Sequence, residues 1–308
     1  MKPKIIIILG PTGAGKTQLA LALAQKINGE IVIADSMQIY RYMDIGTAKP
    51  TREEQALVPH HLLDIINPDE VFSAGRYYKL ARKVIDSIWH KGKRVLVCGG
   101  TGLYIKSLLY GFSSEAEDDT GKIEQELRQK EAQMGQGYLY QELKKVDPIS
   151  ALRIHPNDTF RIIRALEVFY LTGQPISQYH QKHAFRENYY DYLALGIRWE
   201  RPYLYERINQ RCEQMIKTGF VEEVKSLLAR GYHSGLKSMR SLGYRHLCAY
   251  LEGKITWEEA LATMKRDTRQ YARRQLIWFQ RNKKIIWLED PFRNLSSVED
   301  LVLSFLEK

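Results

Sequence analysis

The stretch KIIIILGPTGAGKTQLALALAQKI, residues 4–27, decides the fold. Lys4 to Leu9 is a short β-branched run that reads as a strand, and Gln18 to Ile27 has the spacing and the helix formers of a helix. Between them Gly10-Pro11-Thr12-Gly13-Ala14-Gly15-Lys16-Thr17 satisfies G-x-x-x-x-G-K-[ST], in the strand–loop–helix setting that the pattern requires. Glycines at 10, 13 and 15 let the backbone, with Thr12 and Ala14, turn its amides toward phosphate oxygens, and the helix that follows adds its positive end. Lys16 neutralises charge. Thr17 is the expected ligand of Mg2+, the one cofactor expected. The motif announces linked phosphates; ATP binding follows from the pattern alone and from nothing else in the loop.

Outward from this loop, a second strand covers Glu30 to Ala34 and ends at Asp35. A helix with Ser73 as N-cap runs to about His90 and leads to a third strand, Arg94 to Cys98. Strands alternating with helices predict an α/β fold, a P-loop NTPase-like parallel sheet flanked by helices, with ligands at the carboxyl ends of the strands. After Gly111 the character changes. Ser113 to Asp119 is a polar, acidic linker, and helices without strands follow to about Asp191. This predicts a helical insertion domain over 115–190, set into a core of 1–114 and 191–308. A returning strand (Tyr192 to Trp199), a helix (Pro202 to Gly219), a long helix (Thr256 to Arg281), a last strand (Lys284 to Leu288) and a helix (Ser296 to Leu306) complete the core.

At 308 residues and 44% hydrophobic, the chain can bury an ordinary core. Its apolar runs, Ile5 to Leu9 among them, are far short of the roughly 20 residues that span a bilayer, so a soluble cytoplasmic protein with no membrane partner is expected. Cys98, Cys212 and Cys248 form no CxxC pair, which argues against a disulfide framework or a zinc finger. The net charge of +10 favours a polyanionic partner. It is concentrated: Leu236 to Lys284 holds twelve Lys or Arg against four acids. Such a segment either grips phosphates with steep salt dependence or is a solvated helix face.

Three further features bear on chemistry. The third strand ends in Gly99-Gly100-Thr101-Gly102-Leu103-Tyr104 with no acid to support magnesium, which counts against nucleotide hydrolysis. That turn looks like a second close-approach site, with the Thr101 hydroxyl offered to an anion. Asp35 sits at a strand end near the phosphate loop, as general base or as helix cap, and the Gln38 amide suits the edge of adenine. His60 and His61 are adjacent, lack a third ligand and read as structural. Arg161 and Arg164 share a helix face that suits phosphates or salt bridges equally.

The stretches GPTGAGKT (10–17), DSMQIYRYMDIGTAKP (35–50), CGGTGLY (98–104), NDTFRIIRALEV (157–168) and TRQYARRQLIWF (268–279) together closely resemble the tRNA dimethylallyltransferase (tRNA isopentenyltransferase) family of bacterial type. DIGTAKP and ARRQ make the resemblance specific. It implies dimethylallyl diphosphate as donor, and as acceptor N6 of the adenosine on the 3′ side of the anticodon, within the anticodon stem-loop of tRNA. It gives Asp35 the base role, sets Thr17 and Thr101 near the diphosphate, and matches Arg211 to an arginine on the donor phosphates. It also implies tRNA contacts at Asp35, Ser36, Met37 and Gln38 and at Phe160, Arg161, Ile162, Ile163 and Arg164; the basic segment adds Arg240, Arg273 and Arg274. Tyr244, Tyr271 and Trp278 are available for stacking, the helical insertion is expected to clamp the RNA loop, and a monomer is expected. The competing readings are a small-molecule or nucleoside kinase and an RNA-binding ATPase.

Overall fold

The structure is a computed structural model that describes residues 2–111, 121–183 and 189–308. The acidic stretch read from the sequence at 113–119 lies outside the described residues. β1 (Lys4–Leu9), β2 (Gly29–Ile33), β3 (His60–His61), β4 (Arg94–Gly99), β5 (Asp191–Arg198) and β6 (Ile285–Glu289) form one sheet in the order β3-β2-β4-β1-β5-β6. Every pairing is parallel. Ile5, Ile6, Ile7 and Ile8 of the central strand are all fully buried, which explains a run of isoleucine without alternation: both faces of β1 are covered.

The helices are α1 (Lys16–Lys26), α2 (Arg52–Leu57), α3 (Ala74–His90), α4 (Gly102–Tyr110), α5 (Lys122–Met134), α6 (Tyr138–Val146), α7 (Pro148–Arg153), α8 (Thr159–Thr172) and α9 (Ile176–His183). Then come α10 (Arg201–Lys217), α11 (Phe220–Ala229), α12 (Tyr244–Leu251), α13 (Trp257–Gln280) and α14 (Leu295–Glu307). Leu19 and Leu23 of α1 and Val298 and Val302 of α14 join Ile6, Ile8, Leu96 and Leu195 in one apolar cluster on one side of the sheet. The Ser73 hydroxyl accepts from the Arg76 amide at the start of α3, and Thr256 with Glu259 makes a capping box at α13. The sequence misses β3, only two residues long and paired to Ile31 and Val32. It also misses α11 and α12, each started by a glycine at positive φ (Gly219, Gly243) that interrupts the helical pattern.

Two compact units emerge: Met1–Glu70 with Leu80–Ile105 and Tyr190–Lys308, and Val71–Lys79 with Lys106–Tyr189. The second starts earlier than residue 115 and includes the beginning of α3. Its own core joins Leu127, Leu139, Leu143, Ala151, Ile162, Ile163, Ala165 and Leu166. Buried Asp147 organises it, accepting from the Ser150 amide (3.0 Å), the Ser150 hydroxyl (2.7 Å) and the Ser177 amide (3.0 Å), so one carboxylate starts α7 and holds α9. No helix among the described residues is long and apolar enough to cross a membrane.

Candidate active site

The register pairs Leu9 with Gly99 and Ile33 with Cys98, so the turns after β1, β2 and β4 emerge at one edge of the sheet. There the phosphate loop turns through Gly13 at φ +80 and Gly15 at φ +95, conformations that favour glycine. Four consecutive residues of the loop are gripped by side chains. Lys16 Nζ donates to Pro11 O (2.8 Å), the Thr12 amide donates to Gln275 Oε1 (2.8 Å), Arg207 Nε donates to Gly13 O (3.0 Å), and Trp199 Nε1 donates to Ala14 O (2.9 Å). The Arg207 guanidinium lies over the rings of Trp199 and Tyr203, at 5.3 and 5.7 Å from their centroids, so its own aim is fixed. A clamp must not collapse onto its own dipoles when no phosphate is present, and these bonds hold it open.

Burial lowers Lys16 from its ordinary value to about 8, with Cys98, Asp35 and Arg211 as its charge neighbours. Burial likewise pushes the Cys98 thiol up to about 12, which leaves it an inert neutral group beside the clamp. Arg211 is also lowered by burial, while Asp35 acts in the opposite direction; it remains a cation. Lys16, Arg211 and Asp35 are therefore near one another.

Asp35 is positioned by short local bonds. The Met37 amide donates to its Oδ1 (2.9 Å), the Ser36 amide donates to Thr101 Oγ1 (2.9 Å), and the Thr101 amide donates to Ala34 O (3.1 Å). Thr101 thus ties the second turn to the acid-bearing segment, besides any contact it makes to an anion. A Cβ on Gly99 would sit 2.0 Å from Ala34 O, so that residue is glycine because two strand ends meet there.

The DIGTAKP segment is a scaffolded loop. Glu223 of α11 accepts from the amides of Asp44 (2.9 Å), Ile45 (2.7 Å) and Gly46 (3.1 Å) and from the Tyr244 hydroxyl (2.6 Å). Lys49 Nζ reaches Tyr40 O, Asp44 Oδ1 and Asp64 Oδ1 at 2.6, 2.7 and 2.5 Å. The Gln38 amide nitrogen donates to Thr47 O (3.2 Å) and Ala48 O (3.0 Å). Both donors of that amide therefore hold the loop, and only its oxygen is left to meet an adenine edge.

These elements enclose a cavity of about 1290 Å³ within the first unit, lined among others by Thr12, Gly13, Gly15, Lys16, Thr17, Asp35, Ser36, Met37, Gln38, residues 44–52, Arg211, Arg240, Tyr271 and Arg274. A pocket for one small molecule takes about 300–1,000 Å³, so this one has room for two reactants. Gly10, Ala14 and Thr101 do not line it: Gly10 is glycine because a Cβ would stand 2.9 Å from Ile197 O, Ala14 is buried, and the Thr101 hydroxyl is engaged by Ser36. Arg240, Arg273 and Arg274 are exposed; of the three, Arg240 and Arg274 line the cavity.

Several expected contact residues lie elsewhere. Ile162 and Ile163 are 2% and 3% exposed in the core of the second unit, so their side chains offer no RNA contact; the apolar face of α8 has to be buried. Phe160 is 63% exposed. Arg161 pairs with Asp158 and Arg164 with Glu167, both at 3.1 Å, the salt-bridge alternative. Tyr244 is fully buried and packs edge-on against Phe220, which removes it as a stacking platform. His61 pairs with Glu30 at 2.7 Å and His60 Nδ1 with Val58 O at 2.7 Å. Among the described residues no group of three or more His, Cys, Asp or Glu could hold a metal ion. Arg207 and Glu223 escape the sequence reading as site residues, and Trp199 enters it only as a strand end and Lys49 and Gln275 only as letters of motifs.

A family model described as IPP transferase matches residues 38–282. The chain belongs to the IPP transferase family. A tRNA dimethylallyltransferase of Desulfosudis oleivorans is 50% identical over 305 residues, covering 99% of this chain and 96% of the relative. One of Geotalea uraniireducens is 51% identical over 290 residues, covering 94% and 93%. The first of these, at 99% of the chain, takes in the phosphate loop and Asp35, which precede the family match. Among solved structures, the tRNA isopentenylpyrophosphate transferase of Bacillus halodurans aligns with TM-score 0.73 and 38% identity over 99% of this chain and 97% of the other. A eukaryotic dimethylallyltransferase acting on tRNA aligns with TM-score 0.80 and 29% identity, over 93% of this chain and 74% of its own.

Proposed function

We propose that this IPP transferase moves the dimethylallyl group of dimethylallyl diphosphate to N6 of the adenosine 3′-adjacent to the anticodon of tRNA and releases diphosphate. One observation carries the reading beyond family membership: the phosphate clamp, Asp35 and Arg240 line a single cavity with room for two substrates. The N6 lone pair is delocalised into the adenine ring, so a base has to accept the N6 proton as the new C–N bond forms. Asp35 is that base. Its Oδ1 is oriented by the Met37 amide, leaving Oδ2 for the proton, help of order 100-fold to 10,000-fold. As the allylic C–O bond breaks, charge grows on the bridging oxygen. Amides of Gly13 and Gly15, with Lys16 and Arg211, stabilise that charge.

The Thr17 hydroxyl, lining the cavity, is a hard oxygen donor that fits magnesium, which takes one or two protein ligands and completes its shell with phosphate oxygens and water. Bound there, the ion would offset negative charge on the leaving diphosphate. An adenine stacked within its loop cannot bring N6 to Asp35, so the base is extruded, and Arg240, Arg273 and Arg274 hold the RNA by its phosphates. Such an acceptor places the enzyme in the cytoplasm.

The test is to incubate protein, magnesium and unmodified tRNA with labelled dimethylallyl diphosphate or with γ-labelled ATP. Prenyl label entering tRNA with one diphosphate released per transfer is the expected result. Transfer of the γ-phosphate to any acceptor, with allylic diphosphate untouched, overturns the reading.

A further inference from the structure

Gln275 lies on α13, 7% exposed, and joins two loops that are far apart in sequence. Its Oε1 accepts from the Thr12 amide at 2.8 Å and its Nε2 donates to Gly100 O at 2.9 Å. The amide's orientation is fixed by chemistry: a backbone N–H can meet only the oxygen, and a backbone carbonyl only the nitrogen. The second turn is built around this side chain. A Cβ on Gly100 would stand 2.4 Å from Gln275 Nε2, and one on Gly102 2.1 Å from Trp278 Nε1, three residues further along α13. Amides of a phosphate loop ordinarily turn toward the anion. Here the Thr12 amide is directed to Gln275 instead, so this side chain sets where the loop bends and how far it stands from the turn that carries Thr101.

We infer that Gln275 is a positioning residue for the proposed transfer: it fixes the phosphate loop, the proposed holder of the diphosphate, against the second glycine turn. It touches backbone on both sides, and its effect on the anion passes through Thr12 and Gly100. No other side chain of similar shape does the same. Glutamate offers two acceptors and would face Gly100 O with a charge, methionine offers neither bond, and asparagine is one methylene too short to span both. α13 also carries Arg274, on the same cavity.

The inference rests on the diphosphate reading, and inorganic pyrophosphate serves as the probe because it needs no RNA. Titration calorimetry on wild type, Q275M and Q275E, beside the affinity for an anticodon stem-loop, is the experiment. Q275M is expected to weaken pyrophosphate by roughly 10-fold to 100-fold, the loss of two buried hydrogen bonds, while RNA affinity stays within about 3-fold. Q275E should be equally weak at neutral pH and recover as pH falls, because a protonated carboxyl again accepts from Thr12 and donates to Gly100 O. Lys16, Asp35, Arg211 and Arg274, which line the cavity, are common to the sequences of all three proteins, so a titration confined to Q275E belongs to the new carboxyl. That pH profile also decides the matter should Q275M fail to fold. Pyrophosphate affinity unchanged in folded Q275M, or a Q275E profile parallel to wild type, overturns the inference alone. Wild type that ignores pyrophosphate overturns the diphosphate reading as well.

Discussion

Lys16→Met should make the ligand-free protein more stable while weakening its clamp. Burial holds the Lys16 ammonium at about 8 against an ordinary 10.5, and a gap of that size corresponds to about 3 kcal/mol against keeping the charge in the folded state. Methionine fills similar space without charge but forfeits the bond to Pro11 O, worth about 1–3 kcal/mol for a charged donor. The net expectation at pH 7, in buffer free of phosphate, is a gain of about 1–2 kcal/mol, read as a higher denaturant midpoint at unchanged slope. The sign has its own pH signature. Between about 8 and 10.5 the unfolded chain keeps a proton that the folded chain has lost. Wild-type stability therefore rises with pH across that window, and the advantage of the variant shrinks. Below pH 8 the two curves run parallel. Added pyrophosphate should reverse the order, because a bound anion offsets the burial penalty of the ammonium and stabilises wild type by mass action. A variant less stable than wild type without ligand at pH 7, or a stability difference flat from pH 8 to 10.5, would refute the claim that the clamp holds a desolvated charge at a cost to stability.

Asp35→Asn should keep pyrophosphate affinity and lose transfer by roughly 100-fold or more; turnover near wild type in single-turnover assays removes Asp35 from the mechanism. Gly99→Ala should destabilise by about 2–4 kcal/mol, since the obstructing atom at 2.0 Å is backbone and cannot rotate away; an unchanged unfolding midpoint contradicts the close approach. Arg240→Ala with Arg273→Ala should lower tRNA affinity and reduce the slope of log K against log salt by roughly 1 per lost phosphate contact. An unaltered slope would assign both to a solvated surface. Glu223→Gln turns one of two acceptor oxygens into a donor, so either the Asp44 and Ile45 amides or the Gly46 amide loses its partner and should exchange hydrogen faster while the phosphate loop does not change.

What the sequence reveals and what it conceals divides along the range of the interactions. The phosphate loop is legible because its requirements are local: positive φ at Gly13 and Gly15, a lysine and a hydroxyl at the first turn of α1, an isoleucine strand before it. The capping signal of α3 at Ser73 is local too, and it is where the pattern puts it. β3 fails because two residues carry no periodicity. The inward side of α8 is misread for a different reason: a motif match names consecutive residues, while a helix alternates its faces, so Phe160 and Arg161 are exposed but Ile162 and Ile163 are core.

The clamp's outer face is concealed for a stricter reason. Gln275 reaches Thr12 across 263 positions, Arg207 reaches Gly13 across 194, and Trp199 reaches Ala14 across 185. No window of sequence contains both ends of such a bond, and each residue taken singly is an ordinary glutamine, arginine or tryptophan on a helix or at a strand end. Yet a clamp made of backbone amides has no side chains of its own with which to hold its shape, and glycine, which lets it approach phosphate, is the residue least able to stay put. Rigidity therefore has to come from outside the loop, from elements that the fold brings to it after the sheet is assembled. The glycine signature and its distant supports are two halves of one requirement, and only the first half is written in consecutive residues.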